Sequence, residues 1–210
     1  MMQRDACLEV LNRLRDEEVI VVTTMAAAAP WSRISQAAFD FPSVNSAMGH
    51  AADFALGLAL AQPSRQVWVL NGDGSMLMSL GTLVTLRQTP APNLVLFVLE
   101  NGTFEVTGNQ PIPGAGRISM AGFAQGAGLP QVHAFDCTRT LSNRLPAILT
   151  GVGPIFVSLK VAPEGEPPPN LDRPLRDIAA QLREQLGGTS LSPDPDPGGE
   201  KRRPAAGGHG

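Results

Sequence analysis

The chain has too few cysteines for a disulfide framework. Cys7 and Cys137 are the only two in 210 residues, which fits a reduced compartment. It has no surplus of positive charge either: 16 Lys and Arg stand against 19 Asp and Glu, a net charge of −3. Nothing in that balance favours a nucleic-acid surface or an electrostatically held membrane footprint. No run approaches the roughly 20 apolar residues that span a bilayer. The first sixteen residues alternate charged with apolar positions and contain no apolar signal region. No internal repeat is visible. No GxGxxG opens the first strand–helix unit, where the sequence reads TTMAAAAP, and this disfavours a nucleotide-binding Rossmann protein. The expectation is a cytoplasmic protein that engages neither nucleic acid nor membrane.

What is present is enough apolar sequence for a core: 43% hydrophobic against 17% charged residues. Short apolar runs at 18–23, 66–70, 93–99, 131–135 and 154–160 read as strands. Between them, 48–61, 76–88, 119–126 and 138–149 carry apolar residues at helical spacing. The strand runs are continuous rather than alternating, as in strands covered on both faces. The predicted fold is α/β, a doubly wound and mainly parallel sheet with helices on both faces. An amphipathic helix over 5–15 precedes it. After a proline-rich stretch at 161–170, a helix over 174–186 begins with Pro174 and ends before Gly187-Gly188. The predicted organisation is an N-terminal helix (1–17), one domain (18–186) and a disordered tail (187–210), the last holding seven glycines and four prolines.

In such a sheet ligands bind beyond the carboxyl ends of the strands. Two predicted strand ends carry unusual polar residues. The first is Asn71-Gly72-Asp73-Gly74-Ser75, directly before a helix. Its glycines allow a sharp turn and a close approach to a ligand, and the helix start favours an anion such as a phosphate. Asp73 would repel that anion unless a divalent cation lay between them, and oxygen ligands favour Mg²⁺. The second end is Glu100-Asn101-Gly102-Thr103, with 26 residues between Gly74 and Asn101. One helix and one strand later, it opens on the same edge of the sheet. Asp73, the Asn101 side-chain oxygen and the Thr103 carbonyl, with two diphosphate oxygens and a water, complete an octahedron.

GDGS followed after 26 residues by asparagine resembles the cofactor motif of thiamine-diphosphate-dependent enzymes, on their diphosphate-binding (PP) domain. The segments Ser46-Ala47-Met48-Gly49-His50-Ala51 and Asn101-Gly102-Thr103-Phe104-Glu105-Val106-Thr107-Gly108-Asn109-Gln110 are similar to the sulfopyruvate and phosphonopyruvate decarboxylase group, specifically its beta subunit or C-terminal half. The resemblance covers roughly 23–186. It implies thiamine diphosphate and Mg²⁺ as cofactors, with Asp73, Asn101 and Thr103 on the metal and the Gly74 and Ser75 amides on the diphosphate. Met48 would wedge beneath the cofactor rings, and the Ser46 carbonyl would accept from its amino group. Gly49, Gly72 and Phe104 complete the implied contacts. His50 and Glu105 are candidate catalytic residues of this chain.

The sequence also departs from that group. Glu100 stands where most relatives have a first asparagine. Met25 follows Thr23-Thr24 where glycine is usual, and Ile34 follows Ser32-Arg33. These departures bear on the first loop, where Thr24 and Ser32 are candidate contacts. The glutamate that activates the cofactor belongs, in this superfamily, to a separate pyrimidine-binding (PYR) domain of about 150 residues, for which this sequence has no room. The resemblance therefore implies a PYR-type partner subunit in an α2β2 or larger hetero-oligomer, acting on a small 2-oxo acid. A carboligase on the same cofactor and a noncatalytic scaffold subunit are the alternatives.

Overall fold

The structure is a computed structural model, and it describes residues 1–43, 48–89, 91–164 and 173–188. The elements run α1 (Arg4–Leu14), β1 (Ile20–Thr24), α2 (Ala28–Ile34), β2 (Asp40–Ser43), α3 (Ala51–Ala61), β3 (Val67–Gly72), α4 (Asp73–Met78), α5 (Gly81–Gln88) and β4 (Leu94–Glu100). They continue with β5 (Thr103–Phe104), β6 (Gln110–Pro111), α6 (Met120–Gly126), β7 (Gln131–Phe135), α7 (Thr138–Leu149), β8 (Ile155–Lys160) and α8 (Leu175–Gln185). Six strands form one sheet in the order β2-β1-β3-β4-β8-β7, and every pairing in it is parallel. The expected doubly wound α/β architecture is the one observed.

The continuous apolar runs are explained by two cores, one on each face of the sheet. Val67 and Val69, with Leu94, Leu96 and Val98, point to the face covered by α3, α5, α6 and α8. Trp68 and Leu70, with Val95, Phe97 and Leu99, point to the face covered by α1, α2 and α7. Successive side chains alternate between faces, and here both faces are dry, so no polar residue interrupts the run.

Each of the five expected strands is present, with ends moved by no more than two residues. Strand β2 is not legible from the sequence: it is four residues long, contains Pro42 and occupies a sheet edge, the one place where a proline in a sheet is cheap. Helix α2 falls in the TTMAAAAP segment, its Pro30 lying in the first turn, where no intrahelical N–H is lost. The helix expected over 76–88 is two helices. Ser79 leaves helical geometry at φ −140°, ψ 53°, and α4 begins at Asp73, three residues earlier than expected. The shift places Asp73, Gly74 and Ser75 in the first turn of a helix. The expected tail lies, from residue 189 onward, outside the described residues. Among the described residues no helix is long and apolar enough to cross a membrane.

Strand order sets the location of the site. From β1 the chain passes outward to β2 and then returns across β1 to β3, so the winding reverses between β1 and β3. The crevice beyond the carboxyl ends at such a reversal is where open α/β sheets bind ligands.

Candidate functional site

A cavity of about 280 Å³ opens at that reversal. Its walls come from the ends of three adjacent strands: Met25 and Ala26 after β1, Gly72 to Ser75 after β3, and Asn101 with Thr103 to Thr107 after β4, while Met48 closes it from the turn before α3. In-register pairing of Gly72 with Leu99 carries the two polar strand ends to one level. The volume sits just under the range that encloses a drug-sized ligand. The cavity is open to the surface on one side.

Asp73 is 3% exposed. Its Oδ1 accepts the Gly74 N–H at 2.8 Å and its Oδ2 accepts the Gly102 N–H at 2.8 Å, so one carboxylate ties the β3 end to the β4 end. Among the described residues no Lys, Arg or His side chain bonds to it. Burial pushes its pKa up to about 6; the two backbone donors oppose that rise, and the nearby Glu100 charge adds to it. A buried carboxylate in this state gains from any cation brought to it.

The loop after β4 is held as firmly. Asn101 Oδ1 accepts the Thr103 N–H at 2.9 Å, and Asn101 Nδ2 donates to Glu105 Oε2 at 3.1 Å. Gly102 supplies the left-handed φ of +76° that this turn requires. Strands β5 and β6 pair antiparallel, with Thr103 opposite Pro111. Ladder bonds come from the flanking carbonyls: Gly102 O accepts from Ile112 N and Phe104 O from Asn109 N. By the alternation of such a ladder, the Thr103 carbonyl points away from β6. The Phe104 ring packs on the backbone at Gly74, where a Cβ would fall 2.6 Å from the ring. Only glycine allows the GDGS turn and the β5 hairpin to come this close.

Most of the residues expected at the site line this one cavity: Met48, Gly72, Asp73, Gly74, Ser75, Asn101, Thr103 and Phe104. Gly49 does not. It is buried behind the wall, at φ +85°, its N–H donating to Ser75 Oγ at 2.9 Å, and so it pins the Met48 turn to α4. Ser46 lies outside the described residues.

The two catalytic candidates lie in different surroundings. His50 is exposed at the start of α3, its Nδ1 3.1 Å from Asp53 Oδ2, and it is not part of the cavity wall. Glu105 does reach the wall, but it is 3% exposed and its oxygens are spoken for. Oε2 pairs with Arg4 Nη1 at 3.0 Å and Oε1 accepts the Glu164 N–H at 2.7 Å. Glu105 is thus held in a buried ion pair at the cavity wall. Glu100 points into the fold, with Oε1 accepting from Ser158 Oγ at 2.5 Å.

Sequence reasoning missed Met25, Ala26, Val106 and Thr107. Met25 is notable because it holds a left-handed φ of +49°, a conformation that is uncommon outside glycine. Just before it, at the end of β1, the buried hydroxyls of Thr23 and Thr24 have no hydrogen-bond partner among the described residues, a feature that calls for an explanation. Ser32 and the exposed Arg117 are not part of the wall, and Arg33 pairs with Asp5 at the surface.

Comparison with known proteins gives the family and the fold. Residues 21–159 match the family described as thiamine pyrophosphate enzyme, C-terminal TPP binding domain. The chain is 36% identical over 161 residues to a phosphonopyruvate decarboxylase of Streptomyces viridochromogenes, covering 76% of this chain and 40% of that protein. It is 28% identical over 190 residues to sulfopyruvate decarboxylase subunit beta of Methanothermobacter thermautotrophicus, covering 90% of this chain and 98% of that one. The benzoylformate decarboxylase structure from Polynucleobacter necessarius shares the fold, with a TM-score of 0.65 at 19% identity over 79% of this chain and 34% of its own.

Proposed function

The chain belongs to the family of the C-terminal TPP-binding domain of thiamine pyrophosphate enzymes, and on that premise we propose that it is the diphosphate- and Mg²⁺-binding subunit of a two-subunit 2-oxo acid decarboxylase. The observation that carries this reading is Asp73: a buried carboxylate at the reversal point, fixed by two backbone donors, with no cationic side chain to balance it among the described residues. Such a group is an uncompensated cost in the chain alone and a ligand once a cation arrives.

The residues present fit the cofactor. Asp73, the Asn101 side-chain oxygen and the Thr103 carbonyl are three hard oxygen donors, the set that suits Mg²⁺. The backbone at Gly74 and Ser75 would sit against the diphosphate at the first turn of α4. Thiamine diphosphate, when bound, supplies a nucleophilic carbon and an electron sink for loss of CO₂ from a 2-oxo acid. This chain's part is orientation and water exclusion. Met48 offers an unbranched side chain that fills space beneath a ring, while Met25, Ala26, Phe104 and Val106 make the rest of the wall apolar.

The activating glutamate would come from a PYR-type partner. Two features support that assignment. The cavity is open to the surface on one side, where a partner can complete it, and a relative matched over nearly its whole length is named as a beta subunit. Sulfopyruvate and phosphonopyruvate are the substrates to test first, because decarboxylases named for them are among the relatives. The experiment is to purify the chain alone and with a PYR-type chain, add thiamine diphosphate and Mg²⁺, and follow CO₂ and product from a panel of short 2-oxo acids. The pair should release CO₂ where neither chain alone does. Aldehyde products mark a decarboxylase and acyloin products a carboligase. Full activity from this chain alone would refute the two-subunit assignment.

A further inference from the structure

Arg4 opens α1, almost a hundred residues before the loop after β4, yet it is only 4% exposed and lies against that loop. The sheet delivers it there. Met2 forms a parallel bridge with Val161; its N–H donates to Lys160 O at 2.9 Å and its carbonyl accepts from Ala162 N at 2.9 Å. The residues before α1 are thus stitched to the end of β8, on the edge of the sheet that carries the cavity. Arg4 Nη1 then donates to Glu105 Oε2 at 3.0 Å, and Nη2 bonds Glu164 Oε2.

The same Glu105 oxygen accepts from Asn101 Nδ2. A carboxylate only accepts hydrogen bonds, so it dictates which way round the amide sits: nitrogen toward Glu105, oxygen away from it. The circuit closes through Thr103 Oγ1 donating to Asn109 Oδ1 at 2.9 Å and Asn109 Nδ2 donating to Glu164 O at 2.8 Å. Glu164 returns to Glu105 through its own N–H. We propose that Arg4 is a positioning residue for the cation site, holding Glu105 so that the Asn101 amide presents its oxygen, not its nitrogen, to the metal. This rests on the reading of Asn101 as a ligand. Glu105 would stand one shell out from the metal, where removing a partner typically changes affinity 10–100-fold, and Arg4 acts through it.

A purely structural ion pair would influence folding alone, and the variants are chosen to separate the two roles. Arg4→Met leaves a buried carboxylate unpaired and lowers the melting temperature. Arg4→Met/Glu105→Gln removes that unpaired charge and recovers stability, but it offers Asn101 Nδ2 a partner that both donates and accepts, leaving the Thr103 N–H alone to favour the oxygen-forward orientation of the amide. Mn²⁺ binding to the full chain together with its PYR-type partner and thiamine diphosphate, followed by electron paramagnetic resonance at a temperature where every variant is folded, should weaken about tenfold in both. Arg4→Lys should stay within about threefold of the wild type. The Asn101 side-chain amide signals in the NMR spectrum should shift in Arg4→Met and in the double variant. Affinity that recovers together with melting temperature in the double variant, or Asn101 signals that do not move, would overturn the proposal. If the wild type binds no Mn²⁺, the cofactor reading fails by itself, and the Asn101 signals alone still decide whether Arg4 orients the amide.

Discussion

The Phe104 ring occupies the space that a Cβ on residue 74 would need, with Cε1 at 2.6 Å and Cδ1 at 2.7 Å from that position. Gly74 is thus required by packing between two loops, beyond any need for a flexible turn. Gly74→Ala should force the ring and the β5 hairpin outward, at a cost of about 1–3 kcal/mol from overpacking. It should also weaken thiamine diphosphate binding at least tenfold. Adding Phe104→Leu to Gly74→Ala should recover much of the lost melting temperature. Thermal melts of the wild type and the two variants check this, and an unperturbed Gly74→Ala would count against the packing argument.

Asp73 predicts a pH dependence with a definite sign. Its pKa is raised from 3.8 to about 6 in the folded chain, so the native state holds a proton that the unfolded state releases. Stability from this group is therefore fully present below about pH 4 and is lost as pH rises through about 6, by about 3 kcal/mol in total. The difference in melting temperature between wild type and Asp73→Ala, measured without metal from pH 4 to 7, should move against the wild type across that window. Mg²⁺ with thiamine diphosphate should cancel the loss, because a cation favours the charged form. A difference that stays flat with pH would show that Asp73 does not titrate this way.

Away from the cavity, Arg15 and Asp40 brace the edge of the sheet. Arg15 Nη1 donates to Asp40 Oδ1 at 2.7 Å, the same oxygen accepts Trp31 Nε1 at 2.9 Å, and both charged side chains are largely buried. Asp40→Ala should cost about 3–5 kcal/mol by leaving the guanidinium unpaired. Denaturant melts would reveal it as a lower midpoint with cofactor affinity unchanged at temperatures where the variant is folded.

The sequence was most informative where apolar runs and turn residues agreed. The strand ending in Leu70-Asn71-Gly72 and the one ending in Leu99-Glu100 were legible because both faces of the sheet are covered, leaving an uninterrupted apolar signal closed by polar residues. From those two ends alone Asp73 and Asn101 fall at one level. The wall from Met25 and Ala26 was not legible, since it depends on β1 lying beside β3, and that follows from the strand order rather than from any local pattern. The buried ion pair of Glu105 was not legible for a related reason: its partner Arg4 is distant in sequence, and nothing local marks a loop acid as buried. His50 sits beside Met48 in sequence, but the turn at Gly49 sends the two side chains to different surroundings. Short edge elements such as β2 carry too few residues for periodicity to register.

Met48 tests the apolar wall. Met48→Ala removes the side chain that closes the cavity beside α3 while leaving the metal donors in place. It should reduce turnover of the two-subunit enzyme by at least tenfold, with cation affinity changed less than threefold. Steady-state kinetics and Mn²⁺ titration on the same preparation separate the two effects.

The central claim is that Asp73 and Asn101 hold one cation against a diphosphate. Calorimetric titration of thiamine diphosphate into the chain together with its PYR-type partner, with and without Mg²⁺, measures it directly. The account predicts saturable binding that requires Mg²⁺ and is lost in both Asp73→Ala and Asn101→Ala. Binding that is independent of the metal, or that survives either substitution at wild-type strength, would contradict it.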